Sequence, residues 1–275
     1  MHSAEAQGIL LANIEDFSPG LIFGCGQCFR FEEAEEGVFQ GVAFGKMLTL
    51  AQTPEGIRFH CTQEEFDGLW HGYFAMDVDY SSIRQQIAVT PFMAEAVAFG
   101  RGIRVLRQDF WEVLCSFILS QCNNIPRIQG LVRRLCEAYG QPVPGGFAFP
   151  LPETLAAAGE DELRALGMGF RAPYVLHAAK TVAEGRLAAK ELHAMPFEKA
   201  AAALMVLEGV GVKVAHCVLL YGLHRMDAFP VDVWMRRALD AYFPKGFNPG
   251  VFGEYAGVAQ QYIFHYVRYL HGKTP

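Results

Sequence analysis

The sequence predicts an α+β protein: a small N-terminal antiparallel β-sheet domain with a helix over residues 1–100, then an all-α bundle over 101–275. Two observations carry this. Residues 37–62, GVFQGVAFGKMLTLAQTPEGIRFHCT, are rich in Val, Phe, Thr and Leu and are broken by Gly and by TPEG, the pattern of short strands and turns. From residue 100 onward, apolar residues recur at helical spacing throughout.

The elements follow in order. Residues 81–99 give an amphipathic helical period, and DFWEVLCSFILSQ (109–121) a strongly apolar helix. NNIPRIQGLVRRLCEAYG (123–140) has Asn before it, Pro126 in its first turn and Gly140 as its stop. LPETLAAAGEDELRALG (151–167) holds two short helices, and FRAPYVLHAAKTVAEG (170–185) starts another. Residues 196–207 run up to a glycine pair and 212–223 run away from it; PVDVWMRRALDAYF (230–243) and residues 248–272 complete the bundle.

Composition narrows the function classes. Hydrophobic residues make up 52% and charged residues 19% of the 275, which excludes a disordered chain. No apolar run approaches the roughly 20 residues that span a bilayer, so no membrane partner is expected. MHSAEAQGILLANIED lacks the basic-then-apolar order of a signal peptide, and the expected location is the cytoplasm. The seven cysteines lie mostly within helical apolar patterns and read as reduced thiols. Cys25-Gly-Gln-Cys28 has no second metal-binding pair and no βαβ context, so neither a zinc site nor a redox motif is expected. The net charge of −6 argues against nucleic acid, but its distribution does not: residues 1–80 hold 3 basic and 13 acidic side chains, and residues 81–275 hold 20 and 16.

The chemistry centres on LEGVGVKVAHC (207–217). Gly209 and Gly211 permit a tight turn and close approach of another backbone. The unpaired amides that open the next helix, from Val212, suit a phosphate. Lys213 falls in that first turn, where the helix dipole opposes a cation, and a neutral lysine is a nucleophile toward electrophilic carbon. The bland alternative is a plain turn followed by a solvated lysine. Nineteen residues on, Asp232 precedes a helix. It is either a simple N-cap or a carboxylate poised to stabilise a developing cation or assist proton transfer.

LEGVGVKVAHCVLLYGL with AFPVDVWM resembles the helix-hairpin-helix, Gly/Pro-rich, aspartate signature of the base-excision DNA glycosylases. Lys213 resembles the lysine of the bifunctional glycosylase/lyase members. GQCFRF (26–31), RVLRQDFWEVLCSFILSQCNNIPRI (104–128), LGMGFRA (166–172) and GVAQQYIF (257–264) resemble the 8-oxoguanine DNA glycosylases in the same order, over nearly the whole chain.

The resemblance implies Lys213 and Asp232 as catalytic residues. It implies a base pocket of Gly26, whose carbonyl accepts the N7–H that oxidised guanine alone carries, Cys217 and Phe264 sandwiching the base, and Gln260 reading its edge. Gln260 and Phe264 are i and i+4 on one helix face; without the resemblance both read as ordinary helix residues. On the DNA side it implies Cys122 or Asn123 filling the vacated stack, Arg127 reading the widowed cytosine, Phe170 as a wedge with Arg171 after it, and Gly209, Gly211 and Val212 at the phosphates.

Trp234 stands where eukaryotic members have a histidine, and Val267 where an aspartate is common. The carbonyls of Met205, Leu207 and Val210 are implied to hold a monovalent cation, Na or K. No other cofactor is required, and no iron–sulfur cluster is expected, since no cysteine follows Cys217. The implied partner is double-stranded DNA containing 8-oxoguanine, bound by a monomer resembling the bacterial, nucleoid-associated members. A glycosylase for another lesion and a non-catalytic damaged-DNA-binding protein are the competing readings; mere binding needs neither Lys213 nor Asp232.

Overall fold

The computed structural model describes residues 8–12 and 14–272; the first seven residues, part of the stretch read as lacking a signal peptide, lie outside the described residues. Five antiparallel strands, β1 (Ile9–Ala12), β2 (Phe31–Glu35), β3 (Val38–Ala43), β4 (Lys46–Thr53) and β5 (Gly56–His60), form one sheet in the order β1-β5-β4-β3-β2. The strands read from residues 37–62 are β3 to β5. Only Phe31 of FEEAE is buried in β2, so that strand shows no apolar alternation; β1 has only four residues.

The buried face of the sheet carries Phe39, Leu48, Leu50, Ile57 and Phe59. Helix α1 (Pro19–Gly24) packs on it through Ile22 and Phe23, and the Phe23 ring stacks on Phe31 at 4.3 Å. Trp70, Tyr73 and Phe74 complete this cluster. The second, larger cluster begins at Tyr80, apart from Cys25 and Phe29, which reach into it from the loop after α1. Helices α2 (Tyr80–Ile87) and α3 (Pro91–Phe99) therefore belong to the helical body by packing.

That body contains α4 (Phe110–Leu119), buried on every side, α5 (Ile125–Tyr139), α6 (Ala172–Ala183), α7 (Phe197–Leu204), α8 (Val212–Cys217), α9 (Val233–Tyr242) and α10 (Ala256–Leu270). Asn124 caps α5 by accepting the Arg127 amide at 3.0 Å, and Gly140 ends it. Helix α8 runs on through a wider turn, Val218–Gly222.

The helical reading from residue 100 fails in two places. Residues 103–107 are extended and run between sheet and bundle, the Val105 amide bonded to the Tyr80 hydroxyl at 2.7 Å and the Arg107 amide to the Tyr73 carbonyl at 2.9 Å. Pro142–Val143 pairs with Gly146–Phe147 as a small β-hairpin, because Pro142 and Pro144 cannot sustain helical hydrogen bonding and Gly145-Gly146 supplies the turn.

Candidate active site

A cleft of about 790 Å³ opens where the loop after α1, the start of α5, α8, the start of α9 and α10 converge. Lys213 lines it from the first turn of α8, Asp232 from the N-cap of α9, and Gly26, Cys217, Gln260 and Phe264 complete its wall. Six residues spread over 239 positions of sequence thus meet at one cavity.

Helix geometry explains the pairing. Lys213 and Cys217 are i and i+4 on α8; Gln260, Phe264 and Arg268 repeat that spacing on α10. Lys213 Nζ donates to Ser120 Oγ at 3.1 Å and lies 5.1 Å from the Phe117 ring centre, so a hydroxyl and an aromatic face hold the amine. Asp232 Oδ1 accepts the Met235 amide at 2.8 Å. The N-cap reading of Asp232 is therefore true, and the cap is also what fixes the carboxylate at the cleft. Burial, with Asp232 nearby, pushes the Cys217 thiol up to about 11 against the pull of Lys213. Cys217 is a neutral, apolar surface at physiological pH.

Gly26 adopts φ +78°, and a Cβ there would lie 3.1 Å from Ile125 Cδ1 and 3.5 Å from the Phe264 ring. Any side chain would enter the cleft and strain the backbone. Arg268 lies beside Phe264, its guanidinium 5.4 Å from the ring centre and donating to the Gly24 carbonyl at 3.3 Å.

The remaining residues divide. Phe170 is 48% exposed and Val212 59% exposed, while Cys122 is the exposed tip of the turn after α4 with φ +50°. Arg127 is exposed at the start of α5, and Asn124, Ile125 and Pro126 before it line the cleft. Asn123 also lines the cleft, its Nδ2 turned back to donate to the Leu119 carbonyl at 2.8 Å. Arg171 is 4% exposed and donates to the carbonyls of Gln121 and Cys122, so it sits behind the Cys122 turn and shapes it. Trp234 lines the cleft mouth, with Arg237 5.1 Å from its ring centre and the His271 ring at 5.7 Å.

The hairpin is held from behind by Tyr174, since a Cβ on Gly209, at φ +78°, would lie 2.3 Å from that ring. Gly211 is the N-cap of α8. In the loop carrying Met205, Leu207 and Val210, the Leu207 carbonyl already accepts the Val210 amide at 3.0 Å.

Sequence reasoning missed Phe117, Ser120, Tyr221 and Gln261. All four stand inside blocks that carry the resemblance, but each reads there as an ordinary helix position.

Comparison with known proteins agrees with this geometry. Residues 9–114 match the family described as 8-oxoguanine DNA glycosylase, N-terminal domain, and residues 115–246 the HhH-GPD superfamily base excision DNA repair protein. The solved structure of MBOgg1 in complex with a low-affinity DNA ligand superposes with a TM-score of 0.91 at 34% identity, over 98% of each chain. The Clostridium acetobutylicum 8-oxoguanine glycosylase/lyase, in complex with double-stranded DNA containing cytosine opposite 8-oxoG, superposes with a TM-score of 0.89 at 31% identity over 96% of each chain. The Saccharomyces cerevisiae N-glycosylase/DNA lyase is 36% identical over 181 residues; that match spans 60% of this chain and about half, 48%, of the yeast protein. With both halves matched and a solved relative aligned along nearly its full length, this chain belongs to the 8-oxoguanine DNA glycosylases of the helix-hairpin-helix base-excision superfamily.

Proposed function

We propose that the protein is a bifunctional DNA glycosylase/AP lyase that flips 8-oxoguanine out of duplex DNA, excises it and nicks the strand. The observation that supports this most is the presence of Lys213 and Asp232 in the same cleft as Gly26, Cys217, Gln260 and Phe264. A cleft of about 790 Å³ with an apolar slot between a thiol and a ring suits a flipped purine.

In this reading, the flipped base lies between Cys217 and Phe264. The Gly26 carbonyl accepts N7–H; undamaged guanine presents a lone pair there and is repelled. The neutral Lys213 amine attacks C1′. The C1′–N9 bond breaks, and its electron pair leaves with the base, which takes up a proton. The Asp232 carboxylate balances the positive charge that develops on the sugar. Ring opening gives a Schiff base between Lys213 and C1′. Loss of a C2′ proton then expels the 3′ phosphate by β-elimination.

On the DNA side, amides at Gly209, Gly211 and Val212 take phosphate, Phe170 wedges the duplex and Arg127 reads the opposite cytosine. Cys122 fills the vacated stack, a choice supported by its exposure and by the Asn123 amide turned back to Leu119. Trp234, Arg237 and His271 lie beside the cleft mouth, where the backbone of the flipped nucleotide passes. Na or K at the hairpin carbonyls would steady that loop. The enzyme acts as a monomer on DNA of the bacterial cytoplasm; none of the described helices is long and apolar enough to cross a membrane.

The test is base release from duplexes holding either 8-oxoguanine opposite cytosine or 3-methyladenine. Release of 8-oxoguanine alone is expected. Release of 3-methyladenine alone would move the assignment to another lesion, and release of neither would leave a DNA-binding role.

A further inference from the structure

Gln260 and Gln261 are neighbours on α10, so their side chains leave the helix about 100° apart. Gln260 lines the cleft, and Gln261, 1% exposed, lies inside the wall. A buried amide is stable only when its donor and acceptor ends are used. Gln261 uses both. Its Nε2 donates to the Cys25 carbonyl at 2.7 Å, and its Oε1 accepts the Tyr221 hydroxyl. The same hydroxyl lies 3.4 Å from Oε1 of Gln260, so its single proton is shared between the two amide oxygens, mainly with Gln261.

The Cys25 carbonyl belongs to the peptide that precedes Gly26, and the residue that follows, Gln27, is anchored independently. The Gln27 side chain donates to the Arg104 carbonyl at 2.7 Å and accepts the Leu106 amide at 2.9 Å. Gln108 holds the Gln27 carbonyl at 2.9 Å. Gly26 is thus one flexible residue between a held peptide and an anchored Gln27, and the held peptide is tied through Gln261 to the hydroxyl that also meets Gln260.

From this we infer that Tyr221 and Gln261 are a positioning pair that fixes the Gly26 and Gln260 acceptors relative to one another and thereby sets selection of a guanine-derived over an adenine-derived base. The inference rests on the base-excision reading above. An amide oxygen carries two lone pairs. Tyr221 faces one on Gln260, and the other remains for the cleft. A guanine-type base offers N–H donors along its pairing edge, whereas an adenine-type base presents the N1 lone pair, which an oxygen acceptor repels. An acceptor free to swing aside would tolerate either; one tied through Tyr221 to the opposite wall would not.

Tyr221 stacks on Phe117 at 5.3 Å and 14°, so Tyr221→Phe keeps the packing and removes the hydroxyl. Single-turnover base release from an 8-oxoguanine duplex is compared with cleavage of the same duplex carrying a preformed abasic site, where no base is read. The expected result in Tyr221→Phe is a fall of about tenfold in the ratio of release to abasic cleavage, the scale of one buried hydrogen bond. Gln261→Met should behave alike, the double variant should fall no further than the worse single, and 8-oxoadenine release relative to 8-oxoguanine should rise. A ratio at the wild-type value, whether both rates fall together or neither moves, overturns the pairing. Wild-type protein that cleaves abasic sites but releases no 8-oxoguanine overturns the substrate reading instead.

Discussion

On one side of the cleft, the residues flanking Gly26 are held by the side chains of Gln27, Gln108 and Gln261, all neutral amides. On the other, Lys213 meets a hydroxyl and a ring, and Asp232 is held through one oxygen by a backbone amide. The contrast follows from what each wall does. Discrimination between a lone pair and an N–H needs an acceptor that cannot retreat, which dense neutral hydrogen bonding provides. A nucleophilic amine needs orientation toward the sugar carbon, and a hydroxyl and a ring supply it without a carboxylate partner. The two walls should therefore fail differently when altered.

The largest expected effect is on the reactive wall. Lys213→Gln should lower base release on the order of 10⁴-fold in single-turnover assays, while binding to 8-oxoguanine duplex stays within a few fold. Equal loss of binding and release would place Lys213 in recognition. Next is Asp232→Asn. Asn caps helices about as well as Asp, so the melting temperature should hold, and release should fall about a hundredfold. Asp232→Ala should lose the same activity and about 1 kcal/mol of stability, measured by urea unfolding. If Asp232→Asn keeps full activity and only Asp232→Ala loses activity and stability, the residue matters as a cap alone.

On the recognition wall, Gly26→Ala should slow 8-oxoguanine release more than abasic-site cleavage, because its Cβ enters the cleft at φ +78°. The same strain should cost about 1–3 kcal/mol of stability. Unaltered selectivity would show that the Gly26 loop does not read the base.

The smallest effects are on pH. Burial drops His224 and His265 to about 4 from an ordinary 6.5, so the folded state binds fewer protons than the unfolded one between those values. Stability should be full above pH 6.5 and fall as pH drops toward 4, by about 1.4 kcal/mol per unit per histidine. Replacing His265, whose ring stacks on Phe99 at 5.2 Å, by Phe should flatten that slope in acid unfolding curves.

Much of the reactive wall was legible in the sequence. A lysine one residue past a glycine turn and an aspartate at a helix start are local patterns, and local patterns survive in one dimension. The recognition wall was less so. Gly26 stood out only through a resemblance, and Tyr221 and Gln261 act through partners 40 and 236 positions away. Arg171 shows the same limit: its donors to the carbonyls of Gln121 and Cys122, about 50 positions away, leave no trace in the sequence. In the fold, β2 was hidden by its four glutamate-and-alanine positions facing solvent, and the hairpin at Pro142–Phe147 by a helical pattern on both sides.

The central claim is a covalent step at Lys213, and borohydride trapping tests it most directly. Wild-type protein and Lys213→Gln are incubated with a duplex holding one 8-oxoguanine opposite cytosine, in the presence of borohydride. A covalent protein–DNA adduct with wild type and none with the variant is the predicted result. Base release by wild type with no adduct would contradict the Schiff-base mechanism, and an equal adduct with Lys213→Gln would place the nucleophile elsewhere.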